Sequence, residues 1–155
     1  MATAITYRAM KDDDADEVNA LCIGIFDEFI AASCNAEGRM DFVDDTSPAK
    51  LRERTISNYI ILALDNDTIV GVADMRRDGY LRLLFVERRY QNGGIGRTLL
   101  NRCIEKSIAD GRRLSKIEVK SAIDAVSYYE KLGFKKDDDI QEHKGIRYIP
   151  MSLEL

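Results

Sequence analysis

The sequence predicts a single α/β (α+β) domain, built as a mixed sheet flanked by helices. Strand-like runs such as Tyr59 to Leu64, Thr68 to Met75 and Leu81 to Val86 are interspersed with stretches whose apolar residues recur every three or four positions. A length of 155 residues suits one hydrophobic core, so residues 1–155 are read as one domain. With 45% hydrophobic and 32% charged residues, the composition excludes disordered and fibrous classes.

The first strand is expected over Ile5 to Met10. The acidic residues Asp12, Asp13, Asp14, Asp16 and Glu17 then favour the positive amino end of a helix. Val18, Leu21, Cys22, Ile25, Phe26 and Phe29 give that helix one buried face. Ala32 to Asp45 has no clear period and is expected to be an irregular or broken connection, either a plain connector or a lining for an acceptor site. A short helix is expected after Ser47, with Pro48 at its first position and Leu51 and Ile56 available for packing.

Tyr59 to Leu64 and Thr68 to Met75 stand at hairpin spacing around Asp65-Asn66-Asp67, with Gly71 marking a bulge or a close approach. Leu81 to Val86 is apolar enough for the middle of the sheet. From Gly94 the period changes to helix through Ile95, Leu99, Leu100, Cys103, Ile104 and Ile108, with Gly111 as the stop. Ser115 to Val119 reads as a strand, and Ala122, Ala125, Val126, Tyr129 and Leu132 mark a last helix ended by Gly133. Closing strands are expected near Lys135 to Asp139 and Ile146 to Met151.

No apolar run is long enough to span a bilayer, and the amino terminus has no basic start followed by an apolar segment, so a cytoplasmic protein without a membrane partner is expected. The cysteines Cys22, Cys34 and Cys103 are odd in number and widely spaced, which supports neither a disulfide framework nor a thiolate metal site. His143 is the sole histidine, in a polar, turn-like segment, and no metal is expected. Net charge is −4, yet residues 82–120 hold ten Lys or Arg against four Asp or Glu. A basic middle in an acidic chain fits a small polyanion better than nucleic acid, which is not expected as a partner.

The chemistry concentrates where the apolar strand Leu84-Phe85-Val86 runs through Glu87-Arg88-Arg89-Tyr90 into Gln91-Asn92-Gly93-Gly94-Ile95-Gly96-Arg97. A glycine turn opening a helix gathers several backbone N–H groups at the positive end of the helix dipole, where they can grip a pyrophosphate. Arg97 and Arg89 could add charge-assisted contacts. The phosphate loop GxxxxGK[ST] fails at Arg97, and the dinucleotide pattern GxGxxG fails at Leu99.

Gln91, Gly94 and Gly96 resemble the acyl-CoA loop of the GNAT superfamily, and Ser127-Tyr128-Tyr129-Glu130-Lys131-Leu132-Gly133-Phe134 resembles its second signature. Gly145 to Met151 resembles the tail of a small bacterial or archaeal type branch of that superfamily. The resemblance covers most of the chain. It implies a mostly antiparallel sheet of six to seven strands flanked by about four helices, a possible homodimer, and acetyl-CoA as cofactor.

By the same resemblance, the strand bearing Leu84, Phe85 and Val86 would pair with the pantetheine arm, and the amides from Gln91 through Asn92, Gly93, Gly94 and Ile95 to Gly96 would hold the pyrophosphate. Arg97, Ser121 and Tyr128 would add contacts. Tyr129 matches the tyrosine that many members place near the cofactor sulfur, as general acid; a neutral phenol can give a proton to a departing thiolate. Glu87 is the candidate base, with a solvated loop charge or a partner for Arg88 as its alternatives. Arg88 replaces a frequent proline and Lys120 a frequent asparagine, so Lys120 could bind phosphate or repel a cationic acceptor. The expected activity is direct acetyl transfer to a primary amine of a small molecule or peptide. A CoA-binding sensor that has lost turnover is the alternative.

Overall fold

The computed structural model describes residues 4–155. Eight strands form one sheet in the order β1-β2-β3-β4-β5-β8-β6, with β7 on β8. They are β1 (Ile5–Ala9), β2 (Asn58–Asp65), β3 (Thr68–Arg76), β4 (Tyr80–Val86), β5 (Lys116–Ala122), β6 (Lys135–Lys136), β7 (Gln141–His143) and β8 (Ile146–Glu154). The α-helices are α1 (Ala15–Ile25), α2 (Ala36–Asp45), α3 (Pro48–Arg54), α4 (Ile95–Ala109) and α5 (Val126–Lys131). This is the expected mixed, mostly antiparallel α/β fold, with the β4–β5 pair alone parallel.

Two cores explain why β2 and β3 read as continuous apolar runs: helices cover both of their faces. On one face Val18 and Cys22 of α1 and Leu51 of α3 pack with Ile60, Leu62 and Leu83. On the other, Leu99, Leu100 and Cys103 of α4 and Tyr129 of α5 pack with Ile61, Val70 and Val86. Burial pushes the Cys22 and Cys103 thiols up to about 12, so both are inert core residues, as the stripes on which they lie suggest. At the start of α1, the Asp14 carboxylate accepts the Lys11 N–H at 2.8 Å and both ends of the Arg8 fork at 2.7 and 3.0 Å.

Several expectations are corrected. Ala32 to Asp45 is broken only in its first part, a 3₁₀ turn, Ala31–Ser33, and the Cys34 bridge: α2 then runs from Ala36, capped by Asn35, whose side-chain oxygen accepts the Gly38 N–H at 2.9 Å, and Phe42 supplies its apolar contact. Its weak period reflects how little of it is covered. Ile56 and Ile108 are exposed rather than packed: the chain leaves helical geometry after Arg54, and Ile108 stands in the last turn of α4, which left-handed Gly111 closes with its N–H on Ile108 O. The last helix begins at Val126, since β5 pairing continues to Ala122 and a 3₁₀ turn, Ile123–Ala125, intervenes. The Lys135 to Asp139 strand shortens to two residues.

Two irregularities shape the sheet. Pairing of Ala63 with Gly71 and Leu64 with Ile69 leaves Val70 as an extra residue, and a Cβ on Gly71 would press on Phe85 O and Leu99 at 3.2 Å. Gly71 therefore marks both a bulge and a close approach. Pairing of Asp74 with Leu83 and Met75 with Leu81 makes Arg82 the extra residue of β4. The parallel pairing of β4 with β5 stops at that bulge: Tyr80 faces Glu118, Leu81 faces Val119, and no further pairs follow.

Candidate acyl-transfer site

Beyond Leu81 and Val119 the two central strands part, and the β5-facing edge of β4 from Arg82 to Val86 has no strand partner. A cavity of about 520 Å³ occupies the gap, a size suited to a small-molecule site. It is lined by Leu83, Leu84, Phe85 and Val86 of β4, by Val119 and Lys120 of β5, and by Tyr128 and Tyr129 of α5. Its outer wall comes from a π-helical turn, Phe26–Ile30, from α2 and from the β7–β8 hairpin. Phe26 stacks on Phe42 with centroids 4.3 Å apart, and Phe42 lies 6.0 Å from Phe85.

At the carboxyl end of β4 the Glu87 N–H donates to Val70 O at 2.8 Å, and a 3₁₀ turn, Arg88–Tyr90, leads into the glycines. Asn92 and Gly94 have φ of 67° and 84°, and Gly94 caps α4 from left-handed geometry. Tyr90 and Gln91 donate their N–H groups within the turn, and Thr98 is the first residue of α4 to bond back, at Gly94 O. Among the described residues the N–H groups of Asn92, Gly93, Gly94, Ile95, Gly96 and Arg97 therefore have no protein acceptor. This is the anion-binding arrangement expected from the glycine pattern.

The side chains of the loop mostly serve the protein. Gln91 donates to Val86 O at 3.0 Å, closing the turn against the strand it leaves, and it is the loop residue that reaches the cavity. Arg97 donates to Lys131 O at 2.8 Å, tying α4 to the end of α5, and Arg89 pairs with Glu87 at 2.7 Å. A Cβ on Gly96 would overlap the Tyr128 hydroxyl, so that glycine is required by its neighbour on α5. Leu84 and Ile95 turn their side chains into the core, leaving their backbones to the edge and the loop.

Tyr129 is 7% exposed, meets Tyr128 and Phe134 edge to face at 5.6 and 5.3 Å, and lines the cavity. Its hydroxyl has no hydrogen-bond partner among the described residues, and burial pushes its pKa well above the ordinary phenol value. The group is therefore a proton donor at any physiological pH and never a base. Tyr128, more exposed, packs over the loop as described.

Two expectations are not met here. Glu87 is outside the cavity lining, and its carboxylate is held by Arg89, not by Arg88, which pairs with Glu28 and lies 5.2 Å from the Phe29 ring. Ser121 is fully buried, and its hydroxyl donates to Ala122 O at 2.8 Å, so it does not face the mouth. Alternation along β5 turns Ser121 inward and Lys120 toward the cleft. The carboxylates that do line the cavity are Asp41, Asp45 and Asp124, and exposed His143 reaches it from the hairpin. Of the two readings of Ala32 to Asp45 the lining is the one that agrees with the cavity wall; which of its residues face the cavity was not readable, although the Asn35 cap ahead of Phe42 was a signal for the helix.

The comparison that decides the family is a match of residues 30–155 to the model of the acetyltransferase (GNAT) domain. The chain belongs to the GNAT family. No curated protein sequence matches this GNAT domain significantly. Its fold is similar to that of the PaiA N-acetyltransferase of Thermoplasma acidophilum in complex with coenzyme A, with a TM-score of 0.82, 17% identity and coverage of 98% of this chain and 99% of that one. A GCN5-related N-acetyltransferase from Rhodopseudomonas palustris gives a TM-score of 0.82 at 18% identity, covering 100% and 99%. A GNAT acetyltransferase from Staphylococcus aureus Mu50 gives 0.75 at 17%, covering 97% and 99%. Among the described residues no helix is long and apolar enough to cross a membrane.

Proposed function

We propose that this GNAT domain transfers the acetyl group of acetyl-CoA to a primary amine of a small molecule or peptide, directly and in a ternary complex. The observation that carries the reading is the open edge of β4, which shares one cavity with the buried, unpaired phenol of Tyr129 and ends at Gln91, next to the six unpaired N–H groups of the loop. Coenzyme A in the Thermoplasma structure supports the choice of cofactor.

The N–H groups of 92–97 suit a pyrophosphate, and the strand-free edge of β4 suits the amides of a pantetheine arm, although Phe85 faces Val72 of β3 and Gln91 already occupies Val86 O. The cofactor supplies a thioester whose C–S bond breaks as the amine nitrogen forms the new C–N bond. Tyr129 holds its phenolic proton at Oη for the departing sulfur. The amine, protonated in water, gives up a proton before attack and a second on acylation; Asp124, Asp41, Asp45 and His143 offer acceptors in the cavity, directly or through water. Glu87, turned to Arg89, is a less suitable base than the sequence suggests.

Incubation of the chain with acetyl-CoA and a panel of amino acids, polyamines, aminoglycosides and peptide amino termini tests this reading. Free thiol and an acylated product of the corresponding mass are expected together. Tight CoA binding with no product from any amine would favour a cofactor sensor instead.

A further inference from the structure

Past the strand gap the cavity continues into an outer compartment, and its charges are not balanced. The whole lining carries five Lys or Arg against three Asp. Most of these are already engaged: Arg54 with buried Asp74 at 2.8 Å, Arg82 with Asp45 at 3.6 Å, and Lys144 with Asp41 at 3.5 Å. Among the described residues Lys120 and Arg147 have no carboxylate partner, and Asp124 has no cationic one.

Lys120 is the cation best placed to meet an acceptor. It stands one residue beyond the last β4–β5 pair, level with the Arg82 bulge, and its Nζ lies 5.2 Å from the centroid of the Tyr148 ring. Strand alternation puts it on the same face as Tyr148, whose partner across the ladder is Ala122. The phosphate loop starts only after Val86, four residues beyond Arg82 along β4, or ~13 Å at strand rise, and its unpaired N–H groups begin only at Asn92. Lys120 is thus at the opposite end of the cleft from the cradle, too far to serve a pyrophosphate held there.

We propose that the acyl acceptor is a free amino acid with an apolar side chain. Its carboxylate meets Lys120, its amino group is drawn by Asp124, and its side chain packs on Phe26 and Phe42. The inference rests on the acyl-transfer reading of the same cleft. A polyamine brings only positive charge into a compartment that already has a surplus of it, whereas a zwitterion offers one group to each unpaired partner.

The two products that differ by one carboxylate, N-acetyl-phenylalanine and N-acetyl-phenethylamine, provide a binding test that needs no turnover. Calorimetry on the CoA-saturated chain is expected to give at least about tenfold tighter binding of the acid, the order of a charge-assisted hydrogen bond. Lys120→Met should shrink that gap below about threefold, and Lys120→Arg should keep most of it, with CoA affinity unchanged in both. Equal binding of the two products, a gap indifferent to Lys120→Met, tighter binding of N-acetylspermidine, or no binding of either product at millimolar concentration would each overturn the proposal. Failure of CoA to bind would refute the acyl-transfer reading alone. The same titrations of the unloaded chain would then still decide the role of Lys120.

Discussion

Tyr129 and Gly96 illustrate two ways in which one side chain constrains a site. The Tyr129 phenol is buried, neutral and unpaired, so its proton is available only to something that enters the cleft. Tyr129→Phe keeps the ring packing and removes the proton. A fall in turnover of about 10² with CoA affinity changed less than about twofold is expected from stopped assays and calorimetry. Because burial raises this pKa, the acid form persists to high pH, and no alkaline loss of turnover assignable to Tyr129 is expected below about pH 10.

Gly96 is different, since it is small for the benefit of Tyr128. Gly96→Ala should destabilise the chain by about 1–3 kcal/mol through overlap with the Tyr128 hydroxyl, and adding Tyr128→Ala should recover most of that loss in urea melts. At Gly94 no atom lies in the way, so Gly94→Ala should cost only the strain of φ 84°, about 1 kcal/mol.

At the scale of elements, the cleft is held open by α3 and β3 as well as by the strands that part. Asp74 is fully buried on β3, accepting from Arg54 of α3 and from Asn58 of β2, each at 2.8 Å. Asp74→Ala leaves the Arg54 guanidinium without its partner beneath the cavity, and a loss of about 3–5 kcal/mol in chemical denaturation is expected. The glycine loop and the second signature were legible in the sequence because their constraints are local: a left-handed cap, a turn, a helix stop. The acceptor wall was legible only as one of two readings of Ala32 to Asp45, without its residues. Phe42 is remote in sequence from Phe26 and Phe85, and the docking of α2 unites them, through Arg39 on Asp27 of the π-helical turn at 2.9 Å and through the Asn35 N–H on Gly145 O and the Cys34 to Ile146 bridge of the β7–β8 side. Glu87 misled for a related reason: adjacency to a functional strand says nothing of which way a side chain turns.

For the molecule as a whole, the pattern of apolar periods carried the order of elements, and the two buried faces of β2 and β3 made their strand character plain. The parting of β4 and β5 was not readable from period. It begins level with Arg82, an extra residue opposite Asp74 and Met75, and pairing alone reveals that residue. That gap is lined by Tyr129 and by Gln91, the residue next to the cradle, and acyl transfer between them requires it. Backbone amide spectra of the ¹⁵N-labelled chain, recorded during titration with CoA, test it most directly. Saturable shifts at one equivalent in the amides of 92–97, accompanied by Phe85 and Val86, are the predicted result. An unchanged loop at millimolar CoA, or shifts confined to residues away from the β4–β5 gap, would contradict it.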